Sequence, residues 1–239
     1  MTNGKSGVIC LLLLTAAGGE SGLDRYIDTR RPLEKRKAEV AALGERGDAL
    51  ALETLMALGN TDAYVKVLAI EALGKAGGNV PGLAKSNAAA QNVGAYLRRK
   101  LKDPEPGVVC TAISSLVRIE GIAALADTDQ FLLDNRKRID NFQGVVLPAG
   151  VKALGELGDP RCVPILQREI DEVVKPKYDY EYGSVIVEAL GRTSCPAGRS
   201  ALRIYGTWLE SQMVGKEATV QAYLQAKIDE VPAAAGDAM

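Results

Sequence analysis

The stretch "DAYVKVLAIEALGKAGG" spans residues 62–78 and decides the fold. Its apolar residues recur every three or four positions, which predicts one amphipathic helix from Asp62 to about Lys75, ended by glycine. The tripeptide Ala-Leu-Gly within this stretch occurs five times in the 239-residue chain, with its leucines at Leu43, Leu58, Leu73, Leu154 and Leu190. A helix ending that recurs in this way indicates an internal repeat.

The repeat unit is a helix, a glycine-containing turn and a second helix. Four residues before three of the leucines that close a first helix stand Ala69, Ala112 and Gly150. Positions four apart share one helical face, so these small residues mark where a second helix approaches closely. We interpret the glycine of Ala-Leu-Gly as the end of a helix, which is the first of a pair in every copy except that of Leu58. The leucines that close the five first helices are Leu43, Leu73, Leu116, Leu154 and Leu190.

Stacked repeats explain how such a chain buries its apolar surface. One helix pair cannot cover its own apolar face, whereas neighbouring pairs share a continuous core. The predicted fold is therefore all-α, a right-handed α-solenoid of about five helix pairs with capping helices. The predicted segments are a possible signal or apolar N-terminal segment at 1–19, a linker at 20–32, the solenoid at 33–212, a C-terminal capping helix at 213–231 and a flexible tail at 232–239.

The repeat resembles the HEAT repeat, and most closely the short HEAT-like repeats named after phycobilisome lyases. In the second repeat, the residues that carry the resemblance are Asp62, Val65, Lys66, Ala69, Ala72, Leu73, Gly74 and Gly77. The stretch "VKALGELGDPRCVPILQREI", residues 151–170, is a second close match. The resemblance covers roughly residues 33–212. It implies about five HEAT-like helix pairs with the second helices on a concave face, and it implies almost nothing about activity.

The composition argues against several kinds of catalytic or metal site. The chain has no histidine, which excludes Ser-His-Asp and Cys-His catalysis and histidine-ligated metals. Its four cysteines form no CxxC pair, and their spacing suits no zinc site. We therefore expect no enzyme activity, no cofactor and no metal, and we expect three of the cysteines to be small apolar fillers. Those three are Cys110, Cys162 and Cys195.

The first nineteen residues, "MTNGKSGVICLLLLTAAGG", have the layout of a secretory signal. Lys5 precedes an apolar run from Val8 to Leu14, and small residues follow. The run also looks like a bacterial lipoprotein signal, but no cysteine follows the small residues. The alternative is an apolar first helix that packs on the next one. The protein is exported, to the periplasm or the extracellular space, if the signal is real, and it is cytoplasmic otherwise. We expect no transmembrane span in the mature chain.

Two features of the sequence suggest a partner-binding surface. Basic clusters at 98–102 and 136–138 fall at the ends of second helices, where they either complement the helix C-termini or face an acidic partner. The stretch 175–184, "KPKYDYEYGS", holds three tyrosines, of which Tyr182 aligns with core positions. The other two either contact a partner or fold back over the neighbouring repeats. The candidate partner-binding residues are Tyr178, Tyr180, Arg98, Arg99, Arg136 and Arg138.

We expect a non-catalytic protein–protein interaction or scaffolding module that binds a protein or peptide on the concave face. Two alternatives remain open. The name of the resembled repeat implies a lyase- or isomerase-type accessory protein acting on a chromophore-bearing protein. A nucleic-acid-binding HEAT-like protein is the other alternative, although a net charge of -1 gives no global attraction to nucleic acid.

Overall fold

The structure, a computed structural model, describes residues 22–61, 64–79, 88–136, 143–177, 179–212, 222 and 225–229. Within these ranges every regular element is helical and no strand is present, so the all-α prediction is confirmed for the described chain. The chain forms two compact units, residues 1–96 and 97–239.

The helices follow one another in short, connected pairs. The first unit contains α1 Asp24–Ile27, α2 Leu33–Arg46, α3 Ala49–Leu58, α4 Val65–Asn79 and most of α5 Ala88–Lys100. The second unit contains the end of α5, then α6 Pro106–Glu120, α7 Leu125–Arg136, α8 Gln143–Leu157, α9 Val163–Glu169, α10 Lys175–Lys177, α11 Tyr180–Arg192 and α12 Pro196–Gln212. Two 3₁₀ turns, Gly121–Ala124 and Pro160–Cys162, and a π-helical turn, Ile170–Val174, join some of them.

First helices of successive pairs pack against each other within each unit. In the first unit α2 packs on α4, and in the second unit α6 packs on α8 and α8 on α11. The leucines that close these helices are buried, as predicted from their spacing, and Leu73, Leu154 and Leu190 are completely buried. Burial of each such leucine side chain contributes roughly 1.5–3 kcal/mol. The small residue Gly150 of α8 lies where α7 approaches, since a Cβ there would be 2.8 Å from Leu132 Cδ2.

The glycines of Ala-Leu-Gly in the first helices do not end those helices, so this part of the sequence interpretation is wrong. Gly44 lies inside α2 and Gly155 inside α8. A Cβ on Gly44 would lie 2.9 Å from the Ala72 carbonyl oxygen, and a Cβ on Gly155 would lie 2.9 Å from Ala189 Cα. Because the glycine of one repeat has no side chain, the alanine of Ala-Leu-Gly in the next repeat can pack directly against it. The burial predicted for Ala72 and Ala189 is confirmed.

Two first helices end two residues after the Ala-Leu-Gly glycine, each followed by another glycine. Gly47 follows α2 with φ of 60°, and Gly158 follows α8 with φ of 61°. Both adopt the left-handed conformation that commonly ends a helix. The helix α4 runs on to Asn79, beyond the end predicted near Lys75. Only Gly59 closes its helix, α3, as predicted.

The predicted link from Glu172 to Tyr182 is largely helical. The chain continues from α9 through the π-helical turn Ile170–Val174 into α10, and α11 begins at Tyr180. Asp179 caps α11, because its Oδ1 accepts a hydrogen bond of 2.9 Å from the Tyr182 backbone N–H. The link is thus built from the π-helical turn and the short helix α10.

Several sequence predictions concern the ends of the chain. Residues 1–19 and 232–239 lie outside the described residues. The predicted linker at 20–32 contains α1, whose Tyr26 is buried. Of the predicted capping helix at 213–231, residues 222 and 225–229 are described; they are helical, and Ile228 is buried.

One described helical stretch, Pro106–Arg136, is long and apolar enough to cross a membrane by length and composition. Half of its most apolar window is buried within the protein. The stretch consists of α6 and α7, separated by a turn at Gly121 with φ of 58°. These properties are those of a buried helix pair, so the stretch is weak evidence for a membrane span.

Candidate partner-binding surface

A groove of about 590 Å³ lies between the C-terminal end of α5 and the exposed side of α7 in the second unit. We call it the α5–α7 groove. Arg98, Arg99 and Lys102 line one side, and Asp127 and Asp134 line the other. A volume of this size is typical of ligand sites and exceeds that of one side chain.

The two helices place these groups for simple reasons. The last turn of α5 is basic, and its positive side chains interact favourably with the negative end of the helix dipole. On α7, Asp127, Phe131 and Asp134 follow helical spacing and share a face. Phe131 is 4% exposed, and the side-chain amide of Asn135 donates a hydrogen bond of 2.8 Å to its carbonyl. The groove therefore has a largely buried floor and charged rims.

Arg98 fixes the geometry of this groove. Its Nη1 donates a hydrogen bond of 2.7 Å to Glu120 at the end of α6, and its Nε donates one of 3.0 Å to Asp127 on α7. The hydrogen bonds to Glu120, and then those to Asp127, raise the pKa of the Arg98 guanidinium. Because two carboxylates balance its charge, Arg98 holds the last turn of α5 against α6 and α7, while Arg99 and Lys102 stand exposed on the rim.

A second group of charges joins α7 to α9 and α11. Glu169 is completely buried and accepts hydrogen bonds from Arg136 and, at 3.1 Å, from the Tyr182 hydroxyl. Arg136 also pairs with Glu172, and Arg168 lies 3.5 Å from Glu169. We call these five residues the Glu169 cluster. Removal of one partner from a buried ion pair typically costs 3–5 kcal/mol, so the cluster strongly restrains these helices.

The cluster also shifts the protonation of its members. Burial, followed by the negative charge of Glu169, raises the pKa of the Tyr182 hydroxyl, so this hydroxyl stays protonated and donates. Burial alone would lower the pKa of Arg168, but hydrogen bonding to Asp129 and the charge of Glu169 raise it overall. The predicted burial of Tyr182 is confirmed at 5% exposure.

The structure brings two of the six predicted site residues into one groove. These are Arg98 and Arg99. Arg136 belongs instead to the Glu169 cluster, where its side chain is 16% exposed. Tyr180 is 46% exposed at the start of α11, on another part of the unit. Tyr178 and Arg138 lie outside the described residues.

Sequence reasoning missed the carboxylates that pair with these arginines. No sequence motif singles out Asp127 or Asp129, yet Asp127 pairs with Arg98 and Asp129 with Arg168. The partners are 29 and 39 residues apart, which is close to one repeat length. The sequence signal for these ion pairs would have been opposite charges at equivalent positions of successive second helices.

The described cysteines are unpaired thiols without a metal site. Cys162 and Cys195 are buried, as expected of apolar fillers, whereas Cys110 is half-buried. Burial raises the pKa of Cys162 to about 11, so this thiol stays protonated at neutral pH. No group of three or more potential metal ligands occurs among the residues that the structure describes.

Comparison with known proteins supports the repeat assignment. The family model of the PBS lyase HEAT-like repeat matches residues 149–171, which include most of α8 and all of α9. Residues 149–171 are therefore a HEAT-like repeat, as the sequence motif at 151–170 predicted. A search of curated proteins gave no match.

Among solved structures, the crystal structure of an engineered protein is similar to this chain. Sequence identity is 14%, over 89% of this chain and 97% of that chain. The TM-score is 0.46, a likeness too low to bear on the fold.

Proposed function

We propose that the protein is a non-catalytic interaction module that binds an extended polypeptide segment of a partner in the α5–α7 groove. HEAT-like repeats generally mediate protein interactions, which supports this class of function. The groove carries the proposal, because it combines a volume of about 590 Å³ with charged rims and a floor that contains Phe131.

We propose further that the helix pairs form a right-handed α-solenoid of about five repeats, with the second helices on its concave face. Packing of α6 on α8 and of α8 on α11 in the second unit supports this arrangement. In such a stack α5 and α7 are second helices, so the α5–α7 groove would belong to the concave face.

The rims define the chemistry of the bound segment. Arg99 and Lys102 offer donors to acidic side chains of the partner, and arginine binds carboxylates in a planar, charge-assisted geometry. Asp134 on the opposite rim already accepts a hydrogen bond of 2.7 Å from Gln130, so that side is preorganised. We therefore expect a partner segment with acidic residues facing the end of α5.

A charge-reversal comparison tests the groove. The purified chain is used to capture partners from its native host, the captured protein is identified by mass spectrometry, and its affinity is then measured by calorimetry. Arg99→Glu with Lys102→Glu should weaken binding about tenfold or more, because two rim charges become repulsive. The matched control, Lys152→Glu with Arg192→Glu, makes the same charge change on the first helices α8 and α11.

The control also separates binding from folding. All four side chains are exposed, so both double variants should keep the helical circular dichroism of the wild type. Equal affinity of the wild type and the Arg99/Lys102 variant for the partner would refute the assignment of the groove.

Tyr180, which lies outside the α5–α7 groove, is a separate candidate for contact with the partner. It is exposed, and tyrosine gives a large contact area at low entropy cost. Tyr180→Ala should weaken partner binding by about 1 kcal/mol or more with unchanged helical content. A loss of helical content without a loss of affinity would assign Tyr180 to the packing of α11 instead.

A further inference from the structure

A second groove, of about 310 Å³, lies between the start of α8, the π-helical turn and the start of α11. We call it the α8–α11 groove; it shares no lining residue with the α5–α7 groove. Leu147, Val173 and Tyr182 form a buried floor, and Pro148 and Val185 are half-buried at its sides. The inner surface is therefore mostly apolar.

The rim of this groove offers hydrogen-bond acceptors. The carboxylates of Asp179 and Glu181 are exposed there, and Gly144 lies at the same mouth. Pro148 has no N–H, so the Gly144 carbonyl cannot accept the regular helical hydrogen bond from the residue four positions later. The Tyr182 hydroxyl, the one phenol in the lining, already donates to Glu169.

Helix capping accounts for only part of this arrangement. One oxygen of Asp179 caps α11, and an acidic first turn favours the positive end of the helix dipole. Glu181, however, has no hydrogen-bond or ion-pair partner for its carboxylate among the described residues. No lysine or arginine of the described chain lines the groove. Among the described residues, an apolar cleft thus ends in carboxylates with no basic side chain in its lining.

We propose that the α8–α11 groove binds a lysine or arginine side chain from an apolar-flanked segment of a partner protein. Both side chains carry donors and no acceptor, which complements the acceptors of Gly144, Asp179 and Glu181. Their methylene stems are apolar and bury readily along surfaces such as those of Pro148 and Val185 while the charged group stays at the rim.

The surroundings of the groove suit apolar residues beside the bound cation. Val145, next to Gly144, is 55% exposed, and Tyr180, between Asp179 and Glu181, is 46% exposed. Both side chains are exposed on the helices α8 and α11 that form the groove, so they are accessible to apolar residues of a partner. A basic residue with apolar neighbours in the partner would therefore use both the groove and its border.

Two labelled peptides test the proposal with the full-length chain. The first is a fluorescein-labelled octapeptide of alternating leucine and lysine, and the second carries glutamate in place of lysine. Fluorescence anisotropy should show at least about tenfold tighter binding of the lysine peptide, since charge-assisted hydrogen bonds discriminate at this level.

Two variants locate the site. Asp179→Asn with Glu181→Gln removes the rim charge and keeps a capping residue, so it should weaken binding of the lysine peptide about tenfold. Gly144→Leu should abolish binding without loss of thermal stability, because a Cβ at Gly144 meets no atom within 4 Å and the leucine side chain fills the mouth. Glu210→Gln, an exposed neutralisation on α12, is the control and should bind like the wild type.

Each result decides the matter. Tight binding of the lysine peptide that both groove variants weaken supports the proposal. Equal binding of the glutamate peptide, retention of binding in both variants, or no binding of the lysine peptide up to about 1 mM overturns it. None of these outcomes depends on the α5–α7 groove.

Discussion

Replacement of Gly155 by alanine tests the contact on which successive first helices depend. In an unobstructed helix, alanine in place of glycine stabilises a protein by about 0.4–1 kcal/mol. At Gly155 the added Cβ would lie 2.9 Å from Ala189 Cα and 3.1 Å from Ala189 Cβ. The first of these is a backbone atom, so relief of the clash requires α8 and α11 to separate.

The gain from replacing glycine by alanine and the cost of the steric clash have opposite signs and unequal sizes. Overpacking of a tight interior contact costs about 1–3 kcal/mol, which exceeds the gain from replacing glycine by alanine. The net loss at Gly155 should thus be up to about 2 kcal/mol. Gly144 in the same helix provides a matched control, because its Cβ would meet nothing within 4 Å. Gly144→Ala should be neutral or stabilising by up to about 1 kcal/mol.

Thermal unfolding followed by circular dichroism compares the two variants directly. For a chain of this size, 1 kcal/mol shifts the Tm by roughly 2–4 °C, so the variants should differ by several degrees with Gly155→Ala the lower. If Gly155→Ala melted at or above the temperature of Gly144→Ala, the close approach of the two helices would be refuted.

Three further variants test other contacts. Ala153→Leu, at a completely buried position, should overpack the core by about 1–3 kcal/mol, and a wild-type melting curve would show that the helix register is wrong. Glu169→Gln removes the buried carboxylate that pairs with Arg136 and Arg168, so we expect a loss of about 3–5 kcal/mol in urea unfolding; a loss below about 1 kcal/mol would contradict the cluster. The Arg161 hydrogen bond lowers the pKa of Asp159 from 3.8 to about 2, so its stabilising contribution exists above pH 3.8 and disappears as the pH falls towards 2. Asp159→Asn should therefore be less stable than the wild type at pH 6 and equal near pH 2, and a difference that does not depend on pH would contradict this.

The sequence predicted those features that depend on a single helix. The periodicity that placed Leu73 and Leu154 in the core acts within one helix, and the same helical spacing singled out Gly150 as a small residue on that face. The role of Gly155 was misread, because its reason lies in a neighbouring helix that cannot be seen from local pattern.

The candidate sites were harder to predict for the same reason. Arg98 and Arg136 were recognised as charges, but their partners are 22 to 36 residues away along the chain. Which carboxylate an arginine reaches depends on the register of one repeat against the next. The α8–α11 groove depends on the π-helical turn, and no residue pattern in 170–174 predicted that turn.

The contact between a glycine in one first helix and an alanine in the next also limits how such a chain can evolve by duplication. Gly44 faces Ala72, and Gly155 faces Ala189, so at these two contacts one repeat supplies the glycine and the next supplies the alanine. The third repeat has Val117 at the glycine position, where a branched side chain requires more space. A copy of the fourth repeat inserted after itself would preserve the matched pair, whereas exchange of the third and fourth repeats would place a valine where only a glycine fits.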